Sequence, residues 1–144
     1  MRLSTKSRYG LRALVYLVRN KGFASLQEIS QKEDISYDYL EKIFAKLKKS
    51  KLVDVKRGIK GGYSLSRCPD EITIGQVVGV FEDTLAPVMC VAHEKEMKKN
   101  CSRKSTCPTR KVWMIMQENL IKSLNLITLA SFMDENEKTK KNLS

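Results

Sequence analysis

Ser36-Tyr37-Asp38-Tyr39-Leu40-Glu41-Lys42-Ile43-Phe44-Ala45-Lys46-Leu47-Lys48-Lys49, followed after Ser50 and Lys51 by Leu52-Val53-Asp54-Val55-Lys56-Arg57-Gly58-Ile59-Lys60-Gly61-Gly62-Tyr63-Ser64-Leu65-Ser66, decides the fold. In the first part Leu40, Ile43, Phe44 and Leu47 recur at helical spacing and share one face. Asp38, Glu41, Lys42, Lys46 and Lys49 occupy the other. Ser36 stands where a helix N-cap belongs. The second part predicts a strand over about 52–56, a tip with three glycines in six residues, and a strand over about 63–66.

Toward the N-terminus, Ser4 or Thr5 can cap a helix running to about Asn20, with Leu11, Leu14, Val15, Leu17 and Val18 as its apolar stripe. Ser25-Leu26-Gln27-Glu28 has the spacing of a capping box and opens a second, short helix, which residues 32–35 turn into the third. Toward the C-terminus, Thr73-Ile74-Gly75-Gln76 repeats that box and starts a helix to about Phe81. Residues 83–108 form a long polar connection holding three of the four cysteines. The longest helix is predicted over about 109–126. Val112, Met116, Leu120 and Leu124 form its stripe, and Trp113, Ile121 and Ile127 broaden it. A short turn from Thr128 through Met133 follows, and 134–144 reads as a polar, flexible tail.

Three short helices and then a basic-tipped hairpin describe a winged helix-turn-helix. The predicted fold is therefore mostly α with a small β-hairpin wing. Residues 1–82 are the DNA-binding domain, 83–108 a cysteine loop, and 109–133 a dimerisation helix with its short terminal helix. The long helix carries more apolar surface than a small domain covers, so it is expected to pair with its twin in a homodimer, as a two-fold DNA site requires.

Charge agrees with that reading. The net charge is +11 over 144 residues, and the excess is not uniform: 1–66 carries +9, 67–100 carries −2 and 101–144 carries +4. A basic half beside a nearly neutral one points to a polyanionic partner rather than to simple solubility. No apolar run approaches the ~20 residues that span a bilayer. Met1-Arg2-Leu3-Ser4-Thr5-Lys6 leads into no signal-peptide core, which predicts a cytoplasmic protein without a membrane partner. No Ser/His/Asp set, phosphate loop or paired acid–base carboxylates stand out, so an enzyme is not expected.

In a helix-turn-helix the start of the second helix meets base edges in the major groove. Those residues are Ser36, Tyr37, Asp38, Tyr39 and Glu41, with Lys42 and Lys46 suited to phosphates. The wing offers Arg57 and Lys60, with Gly58, Gly61 and Gly62 allowing close backbone approach to a double-stranded operator.

The cysteines follow Cys90-x10-Cys101-x5-Cys107-Pro108, which is not the paired CxxC of a structural zinc site. In a reducing compartment clustered thiols point to metal or redox chemistry. Wide, uneven spacing on a loop suits an iron–sulfur cluster. Lys95, Lys98, Lys99, Arg103 and Lys104 surround it with positive charge. Three thiolates leave one ligand to find, and His93 is the candidate within the loop. Cys68 reads as a free or partly buried thiol.

These residues carry a resemblance. The run 1–14, Tyr39-Leu40-Glu41-Lys42-Ile43-Phe44-Ala45-Lys46-Leu47, the hairpin 55–65, and Cys107-Pro108-Thr109-Arg110 with Trp113 are similar to the IscR–NsrR–CymR family of bacterial regulators, over essentially residues 1–133. The resemblance implies a DNA-binding homodimer built on the long helix. In cluster-binding members it implies three loop cysteines, here Cys90, Cys101 and Cys107, while other members sense through thiols or protein partners. DNA contacts carried over are Ser36, Asp38, Glu41, Arg57 and the wing glycines. Two departures stand out. Arg110 occupies the position where IscR-like members carry a histidine, and Arg8 occupies that of the aspartate in NsrR-like members. The expected function is an operator-binding regulator controlled by an iron–sulfur cluster (2Fe–2S or 4Fe–4S). The alternative is a cluster-free regulator sensing through thiols, zinc or a partner protein.

Overall fold

A computed structural model describes residues 2–92 and 101–133. The elements are α1 (Thr5–Asn20), α2 (Leu26–Glu33), α3 (Tyr37–Lys49), β1 (Val53–Lys56), β2 (Gly62–Leu65), α4 (Ile74–Phe81) and α5 (Arg110–Leu126). Short 3-10 turns occupy Pro69–Glu71, Met89–Val91 and Leu129–Phe132. His93 and the tail 134–144 lie outside the described residues.

The caps expected from sequence are made. Ser4, Ser25, Ser36 and Thr73 each accept a backbone N–H from the first turn of the helix that follows. Thr73 and Gln76 complete a reciprocal capping box. Asp34, in the left-handed region at φ 53°, ends α2 and turns the chain into α3.

Ala13, Leu14, Leu17, Ile29, Leu40, Ile43, Phe44 and Leu47 are buried where α1, α2 and α3 meet. The sheet is antiparallel, with Val53 opposite Leu65 and Lys56 opposite Gly62. The second strand thus begins one residue earlier than its sequence suggests. The reason is that Gly62 pairs with Lys56; beside that pair Ala24 and Tyr63 exchange two backbone hydrogen bonds, at 2.9 and 2.8 Å, and Gly62 lies against Ala24. The hairpin is thereby fixed to the segment that enters α2.

Glu82 ties the start of α1 to the end of α4. Its carboxylate accepts the Ser4 N–H at 2.7 Å and the hydroxyl of Ser7, a buried polar side chain. Burial alone would push the carboxyl up, but the bonds from Ser7 and Ser4 outweigh it and hold it below its ordinary range. A carboxylate depressed in the folded state stabilises above its unfolded pKa, and that contribution is lost as pH falls through the folded value. Ser7→Ala is expected to lower stability by about 1–2 kcal/mol at neutral pH. It should also flatten the acid limb of a stability–pH curve, measured by urea unfolding. An unchanged acid limb would show that the bond is not what holds Glu82 ionised.

α5 has two faces. Trp113, Leu120 and Leu124 are half-buried, and Leu124 packs onto the core. Val112, Met114, Ile115, Met116 and Ile121 are exposed. The single stripe expected from spacing is therefore split, with Val112 and Met116 turned outward. The C-terminal end of α5 is fastened to α4: Ile74 N–H donates to Ile127 O at 2.8 Å, and Leu129 N–H donates to Ile72 O at 2.9 Å. No helix among the described residues is long and apolar enough to cross a membrane.

Candidate nucleic-acid interface and cysteine loop

Burial of Leu40, Ile43, Phe44 and Leu47 leaves Ser36, Tyr37, Asp38, Glu41, Lys42 and Lys46 exposed along one side of α3. None of these charged side chains forms an ion pair among the described residues. Ser36 Oγ accepts the Tyr39 N–H at 3.2 Å, so its hydroxyl hydrogen remains available to a partner. Tyr39 is placed differently. It is half-buried, with its ring edge-on to Tyr9 at 5.6 Å, and it packs α3 onto α1.

The hairpin presents Arg57, Gly58 and Lys60 at its tip. Gly61 N–H donates to Gly58 O at 3.0 Å and closes the turn. Gly61 and Gly62 are half-buried, and each meets backbone where a side chain would start. Tyr63 packs on Phe44 with ring centroids 4.6 Å apart, fixing the wing against α3. Burial, then neighbouring Tyr37 and Glu41, push the Tyr63 hydroxyl up, so it stays a neutral donor.

Between α2, α3 and the wing lies a groove of about 520 Å³. Tyr37 and Glu41 line one wall and Val55, Gly58 and Ile59 another, with Gln27 of α2 beside them. The sequence reading singled out neither Gln27 nor Ile59. Gln27, two residues after the capping Ser25, is exposed in the first turn of α2. Ile59 carries no polar signal at all.

The other cations divide by role. Arg12 bonds the carbonyl of Glu33 and lies 3.4 Å from its carboxylate. Arg19 donates to Phe132 O at 3.1 Å. Both hold elements together and leave the positive charge of α3 and the wing facing outward.

In the cysteine loop, Cys90 sits half-buried within the turn Met89–Val91. Cys101 is exposed at the start of a run of turns in which Lys104 N–H donates to Cys101 O and Cys107 N–H to Arg103 O. Cys107 lies just ahead of α5, and its thiol is 3.1 Å from Thr109 Oγ1. That hydrogen bond, then the backbone of Thr109 and Arg110 and the charge of Arg103, hold the thiol below its ordinary range, with burial opposing weakly. Arg110 Nε donates to Cys90 O at 3.2 Å, so the guanidinium clips the Cys90 turn to the start of α5. All four cysteines are free, and Cys68 is exposed on the far side of the wing sequence.

The donor set fits an iron–sulfur cluster in kind: three free thiols, one of them biased toward thiolate. Among the described residues, however, no three His, Cys, Asp or Glu side chains converge closely enough to hold one metal ion. Residues 93–100, between Cys90 and Cys101, lie outside them.

A capped helix pair with a polar reading face, joined to a basic hairpin and a long C-terminal helix, defines a winged helix-turn-helix transcriptional regulator, not an enzyme. The family described as Rrf2, iron-dependent transcriptional regulator, matches residues 3–135, and the chain belongs to it. It is 35% identical to the transcriptional regulator IscR of Sodalis glossinidius over 95% of this chain and 81% of that one. Among solved structures it is similar to CymR, the global cysteine regulator of B. subtilis. The TM-score is 0.76 at 31% identity, covering 93% of this chain and 99% of that one. It is also similar to T. potens IscR, with TM-score 0.69 at 32% identity over 90% and 84% of the two chains.

Proposed function

We propose that this regulator binds a double-stranded operator as a homodimer in the cytoplasm, and that an iron–sulfur cluster on Cys90, Cys101 and Cys107 sets its affinity. Ser36, Tyr37, Asp38 and Glu41 read base edges from α3. Lys42 and Lys46 meet phosphates, and Arg57, Gly58, Lys60, Gly61 and Gly62 form the wing contact. The open apolar face of α5, with Met114, Ile115 and Ile121, is the dimer seam. His93 is the in-loop candidate for a fourth ligand.

The observation that carries the sensing role is the clip between Arg110 and Cys90 at the head of α5. Cys90, Cys101 and Cys107 would hold the cluster, which would supply an iron- and oxidant-sensitive cross-link among the three thiolates. What this chain supplies is a mechanical path. The loop is fastened to the start of α5. The end of α5 is fastened to α4 through Ile74 and Ile127. Phe81 of α4 lies against Gly10 of α1, and α1 supports α3 through Tyr9 and Tyr39. A shift at the loop therefore reaches the spacing of two reading helices in the dimer. A tenfold change in operator affinity needs only about 1.4 kcal/mol of difference between the two poses.

A second reading, sensing by thiols or zinc without a cluster, is favoured by the lack of convergence among described ligands and by the thiolate bias of Cys107. Oxygen-free purification with iron, sulfide, zinc and visible-absorption analysis separates the two. Iron and sulfide near stoichiometry, with a chromophore that Cys101→Ala abolishes, are the expected results. A colourless protein unchanged by anaerobic reconstitution would move the cysteines to thiol or zinc chemistry and leave DNA binding intact.

A further inference from the structure

Ile59 stands at the tip of the wing with 106% relative exposure, a β-branched apolar side chain at the edge of the groove. The turn around it is closed by the Gly61-to-Gly58 hydrogen bond, and a side chain at Gly61 would strike the carbonyl of Lys56. Arg57 and Lys60 flank it, and neither makes an ion pair among the described residues. The residue also lines the groove shared with Tyr37 and Glu41, so it continues the surface assigned to DNA. An apolar group this exposed between two cations buries no area within the described residues, so its whole side chain is open to a partner.

We propose that Ile59 is a minor-groove wedge: the two cations bring the wing onto the phosphates, and the isoleucine inserts between sugar edges at one base step. Apolar wedges of this kind partly unstack a step and bend the duplex. Pyrimidine–purine steps yield most readily, so the wedge selects sequence where no hydrogen bond reads it. This rests on the operator-binding reading above, and it adds a specificity determinant to it.

The test uses full-length protein and duplexes that the wild-type chain selects from a randomised pool. Ile59→Ser is expected to weaken binding to the selected duplex about tenfold or more, the scale of one buried aliphatic side chain. The slope of log affinity against log salt should stay unchanged, because no phosphate contact is lost. Ile59→Leu should recover most of the affinity. Lys60→Ala is the contrasting variant and should reduce the salt slope by about one phosphate contact. Enrichment of a pyrimidine–purine step under the wing should be present in wild-type selections and absent with Ile59→Ser. Equal binding by wild type and Ile59→Ser, or a changed salt slope, would overturn the wedge alone. Failure of the wild type to select any duplex would overturn the operator-binding reading and the wedge with it.

Discussion

Phe44→Ala is expected to cost about 3–5 kcal/mol of folding stability, the range for an aromatic ring removed from a packed core. Phe44 is fully buried on the inner face of α3. Its ring lies 4.6 Å from that of Tyr63 on β2, tilted by 53°. One side chain thus joins the core, α3 and the wing. A domain with a total stability of about 5–15 kcal/mol would be left marginal. Urea unfolding should show a lower midpoint with little change in slope. Operator binding should fall even at temperatures where the variant remains folded, because Tyr63 loses the surface that fixes the hairpin angle. Phe44→Leu fills part of the cavity and should recover more than half of the lost stability. Similar unfolding midpoints for Phe44→Ala and wild type would show that the α3–hairpin contact carries little of the fold.

Much of this architecture is legible because it is local. Ser25, Ser36 and Thr73 announce helix starts three residues ahead of the amides they bind. The spacing of Leu40, Ile43, Phe44 and Leu47 fixes which side of α3 is buried, and so which side is left exposed. The three wing glycines mark the hairpin. What the chain hides is non-local. The Ala24–Tyr63 pair, which fastens β2 to the segment entering α2, joins residues 39 apart in sequence. Ser7 and Glu82 are 75 apart, and neither residue carries a pattern that points to the other.

α5 shows a subtler limit. Its apolar residues are numerous enough to cover more than one face, and periodicity alone cannot say which of them the chain's own core will claim. Trp113, Leu120 and Leu124 turn inward; Val112, Met114, Ile115 and Met116 do not. The cysteine loop is least legible. Arg110 reads in sequence as a missing ligand, whereas its guanidinium bonds the Cys90 carbonyl. A charged side chain that serves a backbone carbonyl leaves no trace in spacing. Tyr39, which the sequence places among the base readers, packs on Tyr9, because a helix residue one position past the exposed row faces partly toward the neighbouring helix.

Gly62→Ala is expected to detach the wing from the body of the domain. Two penalties coincide at this glycine. Its φ of +139° is a conformation that side chains rarely adopt, and a Cβ there would run into the carbonyl of Ala24. The second cannot be relieved by rotating a side chain, because the obstacle is backbone. Separating Gly62 from Ala24 also breaks the paired hydrogen bonds between Ala24 and Tyr63. The sum of strain and lost bonds is about 2–4 kcal/mol. Operator affinity should fall by more than about tenfold, since Arg57, Lys60 and α3 no longer meet one duplex in register. Gly58→Ala is the informative comparison. Gly58 also has a positive φ, +115°, but nothing lies within 4 Å of its would-be Cβ. It therefore carries the conformational penalty, about 1–3 kcal/mol, without the collision. If the two variants lose stability and DNA affinity equally, backbone strain alone explains the requirement for glycine. If Gly62→Ala loses far more, the wing is aimed by its contact with Ala24, and operator binding depends on the short segment entering α2 as well as on the wing itself.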